Sequence, residues 1–467
     1  MRITSYLLLF GFTAFLSACS ITFPEINKPL SEKKVDKNTL IKNTDNNSES
    51  RSDELTLMMT FSGGGMRSTA LSYGVLQQLR DTPITINGKQ RRLLDEIDLI
   101  SSVSGGSFTS AYFGLFGDRI FEDFEEKFLK RRIQTELLRL SLLSPRAWVR
   151  LAPSVFERSD LAAEYYNQLI FNKKTFGDLR PDSPAIVINA TDLSLGQGFS
   201  FTGYHFNWIC SDLSSYPISR AVAASSAVPV IFSPITLRNH ARNCETTPIV
   251  WDVQKRNEKK NNDLDNRNLA QQKRHLDALK VKNYRDDKNL NYLHLVDGGV
   301  ADNLGVRSII DIVSFHNNDM WNTMQNYGMQ KSKKVVFIIV NASSFINPAN
   351  GKFKRSPRTV NVIDTTTTIQ SNKYNTESID LIRSQFPKWK KQVQEGRCKD
   401  LKTKDCADIE FQLIEINLED LNDKEITELG IVPTALELPP NKIDQLKAAG
   451  KNLLLRSEEF QKLLKQY

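Results

Sequence analysis

The sequence predicts an α/β fold built on a parallel sheet, and three stretches carry that expectation. Leu55 to Phe61 (LTLMMTF) is a nearly continuous apolar run of strand length, the pattern of a strand buried on both faces. It runs into Ser62-Gly63-Gly64-Gly65 and then into MRSTALSYGVLQQLR, where Ala70, Leu71, Val75 and Leu76 recur at helical spacing. A second strand within Leu93 to Val103 ends in Ser102-Val103-Ser104-Gly105-Gly106 and leads into a helix start at SFTSAYFG. The third, in LHLVDGGVADNLGV (Leu293 to Val306), ends at Asp297 and turns on Gly298-Gly299.

Each turn places chemistry at a strand end. Strand, glycine loop and helix together aim backbone N–H groups and a helix N-terminus at an anion. A nucleotide phosphate fits poorly, because Met66-Arg67-Ser68 has no lysine where a Walker loop needs one. A dinucleotide fits no better, because Ser68 stands where the fingerprint needs its third glycine. A reaction oxyanion remains. Ser104 sits where a strand-to-helix turn would expose its hydroxyl, although Ser102 replaces the glycine usual two residues before such a nucleophile. Asp297 ends a strand, where an open sheet presents residues to its crevice, while Asp302 reads as a possible surface carboxylate. Of the histidines, His294 precedes Asp297 by three and points to the other face, and His205, His240, His275 and His316 lie outside any motif.

In that order, SGGGMRS, SVSGGS and VDGG resemble the oxyanion loop, nucleophile elbow and base motif of patatin-like phospholipases. The resemblance runs from about Leu55 to Ala342 and includes AVAASSAVPVIFSP (Ala221 to Pro234). It implies a three-layer α/β/α fold with a central, mostly parallel sheet and a Ser-Asp dyad. Ser104 is then the nucleophile, Asp297 its base, and Gly63, Gly64 and Gly65 the oxyanion hole. Arg67 has two readings, a brace for the loop or a contact to substrate phosphate. The implied activity is that of a lipid acyl hydrolase acting on a phospholipid or lysophospholipid, with no cofactor and no metal. The alternative is a non-catalytic lipid-binding or interaction lipoprotein on the same fold.

The rest of the chain bears on where such chemistry would occur. Arg2 is followed by SYLLLFGFTAFL (Ser5 to Leu16), too short to span a bilayer and typical of a secretory signal. Leu16-Ser17-Ala18-Cys19 resembles the lipobox of bacterial lipoproteins. That implies removal of residues 1–18, lipidation of Cys19, and a membrane anchor in the bacterial envelope, with Ser20 pointing to the outer membrane. Residues 19–54 are polar and read as a flexible tether holding the body on the order of 30 Å from its anchor. Four cysteines remain; among three possible connectivities, the local pairs Cys210–Cys244 and Cys398–Cys406 are expected in an oxidising compartment.

With 467 residues, 40% hydrophobic and 25% charged, the chain has material for a large core. The net charge of +8 is uneven: Lys255 to Lys288 holds 11 Lys/Arg against 6 Asp/Glu, so this stretch alone contributes +5. It lacks a sustained apolar face and reads as a polar insertion near 252–290, either a soluble excursion or an attraction to anionic head groups. Nucleic acid is not expected as a partner of a secreted, anchored chain, and oligomeric state is left open. Phe128 to Phe156 resembles a basic amphipathic helix broken at Pro145, either packed on the core or set against a membrane or the acyl pocket. The catalytic domain is placed at 55–345. Residues 346–467 read as α/β additions to it: a helix in ESIDLIRSQFPKWKKQV, a strand in EFQLIEINL and a terminal helix begun by proline.

Overall fold

One mixed sheet organises the computed structural model of the protein, which describes residues 27–30, 51–151, 156–229, 231–243, 279, 282–343, 354, 359–401, 405–422, 425–430 and 432–467. In chain order the strands are β1 (Leu55–Phe61), the hairpin β2 (Pro83–Ile86) and β3 (Lys89–Arg92), β4 (Ile97–Val103), β5 (Ala185–Asp192), β6 (Gln197–Phe201), β7 (Ile235–Arg238), β8 (Tyr292–Asp297), β9 (Lys334–Asn341) and β10 (Glu410–Asn417). The main sheet has the order β10-β9-β1-β4-β5-β8-β7, with β6 also paired to β5. Pairs from β10 across to β5 are parallel; β6 and β8 run against β5, and β7 against β8.

The longer helices are α1 (Met66–Arg80), α2 (Gly105–Phe116), α3 (Ile133–Leu143), α4 (Pro145–Leu151), α5 (Arg158–Leu169), α6 (Ile218–Ser225), α7 (Val306–Phe315), α8 (Met320–Asn326), α9 (Thr359–Leu401), α10 (Pro440–Arg456) and α11 (Glu458–Leu464). The central strands divide their side chains between two cores, because successive residues of a strand point to opposite faces. Leu57, Met59 and Phe61 of β1 with Val336, Ile338 and Val340 of β9 join α1, α2, α6 and α10. Met58, Val335, Phe337 and Ile339 join α7, α8 and α9 on the other face. This is a three-layer α/β/α arrangement, and the apolar run LTLMMTF is continuous because both faces of β1 are covered. Close packing of the outer layer uses glycine. A Cβ on Gly74 of α1 would lie 2.1 Å from the Lys447 carbonyl oxygen, and one on Gly450 of α10 would lie 2.4 Å from that of Leu71.

Several expectations change in detail. Asp297 does not reach the crevice by the rule for parallel strands, since β8 is antiparallel to β5. Val103 lies opposite Asn189 and Asp297 opposite Ala190, so the carboxyl ends of β4 and β8 meet along one stretch of β5. The terminal helix is interrupted at Ser457, whose hydroxyl caps α11 by accepting from the Phe460 N–H. The helix expected in ESIDLIRSQFPKWKKQV is part of the much longer α9, with Pro387 inside it, and β10 pairs with β9 in parallel along the whole strand.

The expected tether is not free throughout. Asn27 is buried and bonds both polar groups of Arg238, its amide donating to the carbonyl at 2.8 Å and its oxygen accepting from the N–H at 2.7 Å. Leu30 donates to the Cys210 carbonyl and Asp212 to that of Lys28, so residues 27–30 dock on the body. The polar insertion lies mostly outside the described residues, but Tyr284 within it is buried and donates to Asp192 at 2.6 Å. An aromatic anchor therefore stands in a stretch whose composition reads as solvated. Cys398 and Cys406 form a disulfide. Cys210 is disulfide-bonded; Cys244 and Cys19 lie outside the described residues. Among those residues no helix is long and apolar enough to cross a membrane.

A buried ion pair fixes α6 against α5. Arg220 donates to Asp160 at 2.8 Å. Asp160 also accepts from the Glu157 N–H at 3.0 Å, half of the box that caps α5. Removing the cation would leave a desolvated carboxylate at a helix start. Arg220→Ala is therefore expected to lower unfolding free energy by about 3–5 kcal/mol, read from the urea midpoint. The double variant with Asp160→Ala should recover part of the loss. Equal midpoints for Arg220→Ala and the unaltered chain would refute this role.

Candidate active site

The loop between β1 and α1 is clamped from three directions. Ser62 donates to the Val340 carbonyl at 3.1 Å, Gly63 to that of Asn303 at 2.9 Å, and Met66 to that of Ala435 at 2.7 Å. Arg67 is buried and donates to the carbonyls of Ala342, at 2.6 Å, and Val432. These contacts give Arg67 the bracing role. Of the three glycines expected to offer N–H groups to an oxyanion, Gly63 has its own engaged by Asn303, which ties the loop to the segment after Asp297. Those of Gly64 and Gly65 have no partner among the described residues. Gly65 has φ +58° and no room for a Cβ, which would lie 2.4 Å from the Ala435 oxygen. No side chain is tolerated at this bend.

Ser104 stands opposite this loop in a conformation that L-residues avoid, φ 50° and ψ −119°. The turn is held by hydrogen bonds: the Ser104 N–H donates to the Ser225 hydroxyl at 2.8 Å, and that hydroxyl donates to the Asn189 carbonyl at 2.6 Å. Gly105 lets α2 approach the glycine loop, since a Cβ there would lie 1.9 Å from the Gly65 oxygen. Ser102, the departure from the usual elbow, is accommodated because its hydroxyl contacts that of Ser110 at 2.6 Å. The small polar side chain fits where a glycine is usual.

The Asp297 carboxylate completes the group. It is buried and accepts from the Gly299 N–H at 2.8 Å, and the nearby Ser104 side chain favours its charged form. Burial pushes its pKa up to about 6, against the opposing pull of those two donors. The Asp297 N–H donates to Ala227 at 3.0 Å and its carbonyl accepts from Thr191 at 2.9 Å, so the backbone is fixed on both sides. Asp302 is no loose surface group: it accepts from the Arg307 N–H at 2.7 Å at the start of α7. Four histidines find partners elsewhere: His205 with Thr202, His240 with Asn27, His294 with Thr236, and His316 with Tyr327. His275 lies outside the described residues.

A cavity of ≈310 Å³ opens beside Ser104 and Gly65, within the range of small-molecule sites. Leu137, Leu138, Leu161, Val228, Ile231, Phe232 and Leu436 make it predominantly apolar. Sequence reasoning missed Ser225 and Asn303, which position Ser104 and the glycine loop. The signals were faint: a serine in a run of small residues, and an asparagine six residues beyond Asp297. It also missed the contribution of residues 432–438, which give the loop two of its clamps and the cavity one wall.

Residues 59–310, 252 of the 467, match a family model described as Patatin-like phospholipase. No curated protein matches the chain. Among solved structures, the human GIVD cytosolic phospholipase A2 is similar at 13% identity and a TM-score of 0.41, covering 89% of this chain and 61% of its own.

Asp297→Asn tests the electrostatics of the site apart from any activity. The asparagine oxygen still accepts from Gly299, but no charge has to be buried. Because burial raises the folded pKa, the cost to the unaltered chain is absent below about pH 4, grows as pH rises to about 6, and stays constant above it. The variant should therefore unfold at higher denaturant at pH 8, by up to about 3 kcal/mol, with the gain vanishing near pH 4. An unchanged difference between the two pH values would contradict burial of the charge.

Proposed function

Since the chain belongs to the patatin-like phospholipase family, we propose that it is a serine lipid acyl hydrolase of the phospholipase A or lysophospholipase type. The observation that carries the reading is the placement of the Ser104 side chain at an apolar cavity, close enough to the buried Asp297 carboxylate to favour its charged form. In the first half-reaction the Ser104 oxygen attacks the ester carbonyl carbon and its proton passes to Asp297. The negative charge formed on the carbonyl oxygen is received by the N–H groups of Gly64 and Gly65, each such donor typically contributing about 10²- to 10³-fold in rate. Collapse breaks the ester bond, and Asp297 returns the proton to the departing alcohol. In the second half, water loses a proton to Asp297 and attacks the acyl-serine, releasing the fatty acid and restoring the hydroxyl.

An aspartate is ordinarily a weak base. Its raised pKa makes it a stronger one while leaving it mostly ionised at neutral pH. The apolar cavity suits an acyl chain, and its burial beside the reacting atoms excludes the water that would dilute each interaction. The N-terminal reading belongs to the same proposal: Cys19 carries lipid and holds the enzyme in a bacterial envelope. Replacing Cys19 by Ser should abolish incorporation of radiolabelled palmitate, and retained label would defeat the anchor.

A fluorophosphonate probe is expected to label the chain at Ser104. Labelling should slow as pH falls through about 6, as Asp297 becomes protonated and loses its capacity to accept. Ser104→Ala should lose the label and lower ester turnover by on the order of 10³-fold or more. Undiminished turnover in a folded Ser104→Ala protein would overturn the assignment and leave a binding protein on the same scaffold.

A further inference from the structure

The helix α3 reads IQTELLRLSLL, with five leucines in its last seven residues. Only Ile133 and Leu137 are buried. At 100° per residue Leu138 and Leu142 fall on the opposite side, and they are 58% and 57% exposed. Leu143 is 74% exposed, and Trp148 on α4 is 56% exposed. The outward side of a surface helix is ordinarily polar. This one packs along one edge and turns Leu138, Leu140, Leu142 and Leu143 outward.

The concentration is local. Of thirteen large apolar side chains exposed among the described residues, five lie between Leu138 and Trp148 and a sixth is Ile231. Leu138 and Ile231 also line the cavity that reaches Ser104, so the patch is continuous with its mouth. The edge is firmly built. The Trp148 indole donates to the Ser141 carbonyl at 3.1 Å, Arg150 pairs with Glu164 at 2.6 Å, and Thr135 donates from both N–H and hydroxyl to Glu437. Around it stand cations: Arg132, paired with Glu437 at 3.4 Å yet with its side chain 77% exposed, and Arg139, also exposed.

We propose that this patch is an interfacial surface that seats on an anionic phospholipid bilayer. Leu142, Leu143 and Trp148 pass below the head groups while Arg132 and Arg139 meet the phosphates. The cavity mouth then opens into the acyl region, and a lipid ester reaches Ser104 without first crossing water. Charge favours this occupant over a second copy of the chain, because a two-fold contact on the same patch would bring the same arginines together. The inference rests on the lipid hydrolase reading above.

The test uses the full chain with Cys19→Ser, so that no lipid anchor contributes, with and without Leu142→Ser, Leu143→Ser and Trp148→Ser. None of the three side chains lines the cavity. On a dispersed short ester, p-nitrophenyl butyrate, the two proteins should agree within about two-fold, whereas on vesicles of phosphatidylethanolamine and phosphatidylglycerol the triple variant should fall by about ten-fold or more. Brominated acyl chains should quench part of the tryptophan emission, and Trp148→Phe should remove that part. Equal vesicle rates in the two proteins, absence of quenching, or a dimer in sedimentation that the triple variant dissociates would each overturn the proposal. If the parent protein hydrolyses neither substrate, the hydrolase reading fails, while quenching still decides whether the surface meets lipid.

Discussion

Asp297 has to hold a negative charge where few groups favour it. Its carboxylate lies buried where β4 and β8 meet along β5, and the Gly299 N–H and the Ser104 hydroxyl are the donors that favour its charged form. On the proposed reading, better solvation would make it a poor base, and less support would leave it neutral at working pH. The rest of the fold follows from holding that balance. The antiparallel entry of β8 brings the carboxylate to the level of Ser104, while Gly298 leaves no side chain in the way, as a Cβ there would lie 2.3 Å from the Asn189 oxygen.

The same constraint explains why so much of the surrounding bonding engages the backbone. Ser104 occupies a conformation costing on the order of 1–3 kcal/mol, which persists only where neighbours over-determine it. Ser225 and Asn189 do so from one side, and the close contact of Gly105 with Gly65 does so from the other. The glycine loop is in turn pinned by β9, by the segment after Asp297 and by residues near Val432 and Ala435. The C-terminal part is thus structurally inseparable from the loop, although the family match ends at residue 310.

How much of this was legible in the sequence depends on distance along the chain. The run LTLMMTF, the glycine turn, and the elbow around Ser104 are local signals, and they specify β1, the bend and α2 almost to the residue. The antiparallel direction of β8 is not local. Asp-Gly-Gly reads the same whichever way its strand runs, and only pairing with β5 decides it. The docking of Asn27 was hidden for a similar reason, since a polar segment looks solvated until its partners, here Arg238 and His240, appear some 210 positions away. The division of labour among three adjacent glycines is equally unreadable, because it is set by the Asn303 carbonyl and not by the glycines themselves.

The exposed face of α3 shows the converse case, in which composition was legible but its meaning was not. Leucines at nearly every turn are consistent with a helix enclosed by protein, and Leu137 satisfies that reading. What distinguishes the alternatives is the remaining solvent exposure of Leu138, Leu142 and Leu143, which no periodicity reveals because the helix is apolar on both sides. Burying such a surface in water-free surroundings is favourable by roughly 25 cal/mol per Å². A surface that an apolar phase would stabilise, continuous with a cavity that ends at Ser104, would under the proposed reading couple attachment to the delivery of substrate, because the contact that seats the protein would also place an ester at the mouth of the site.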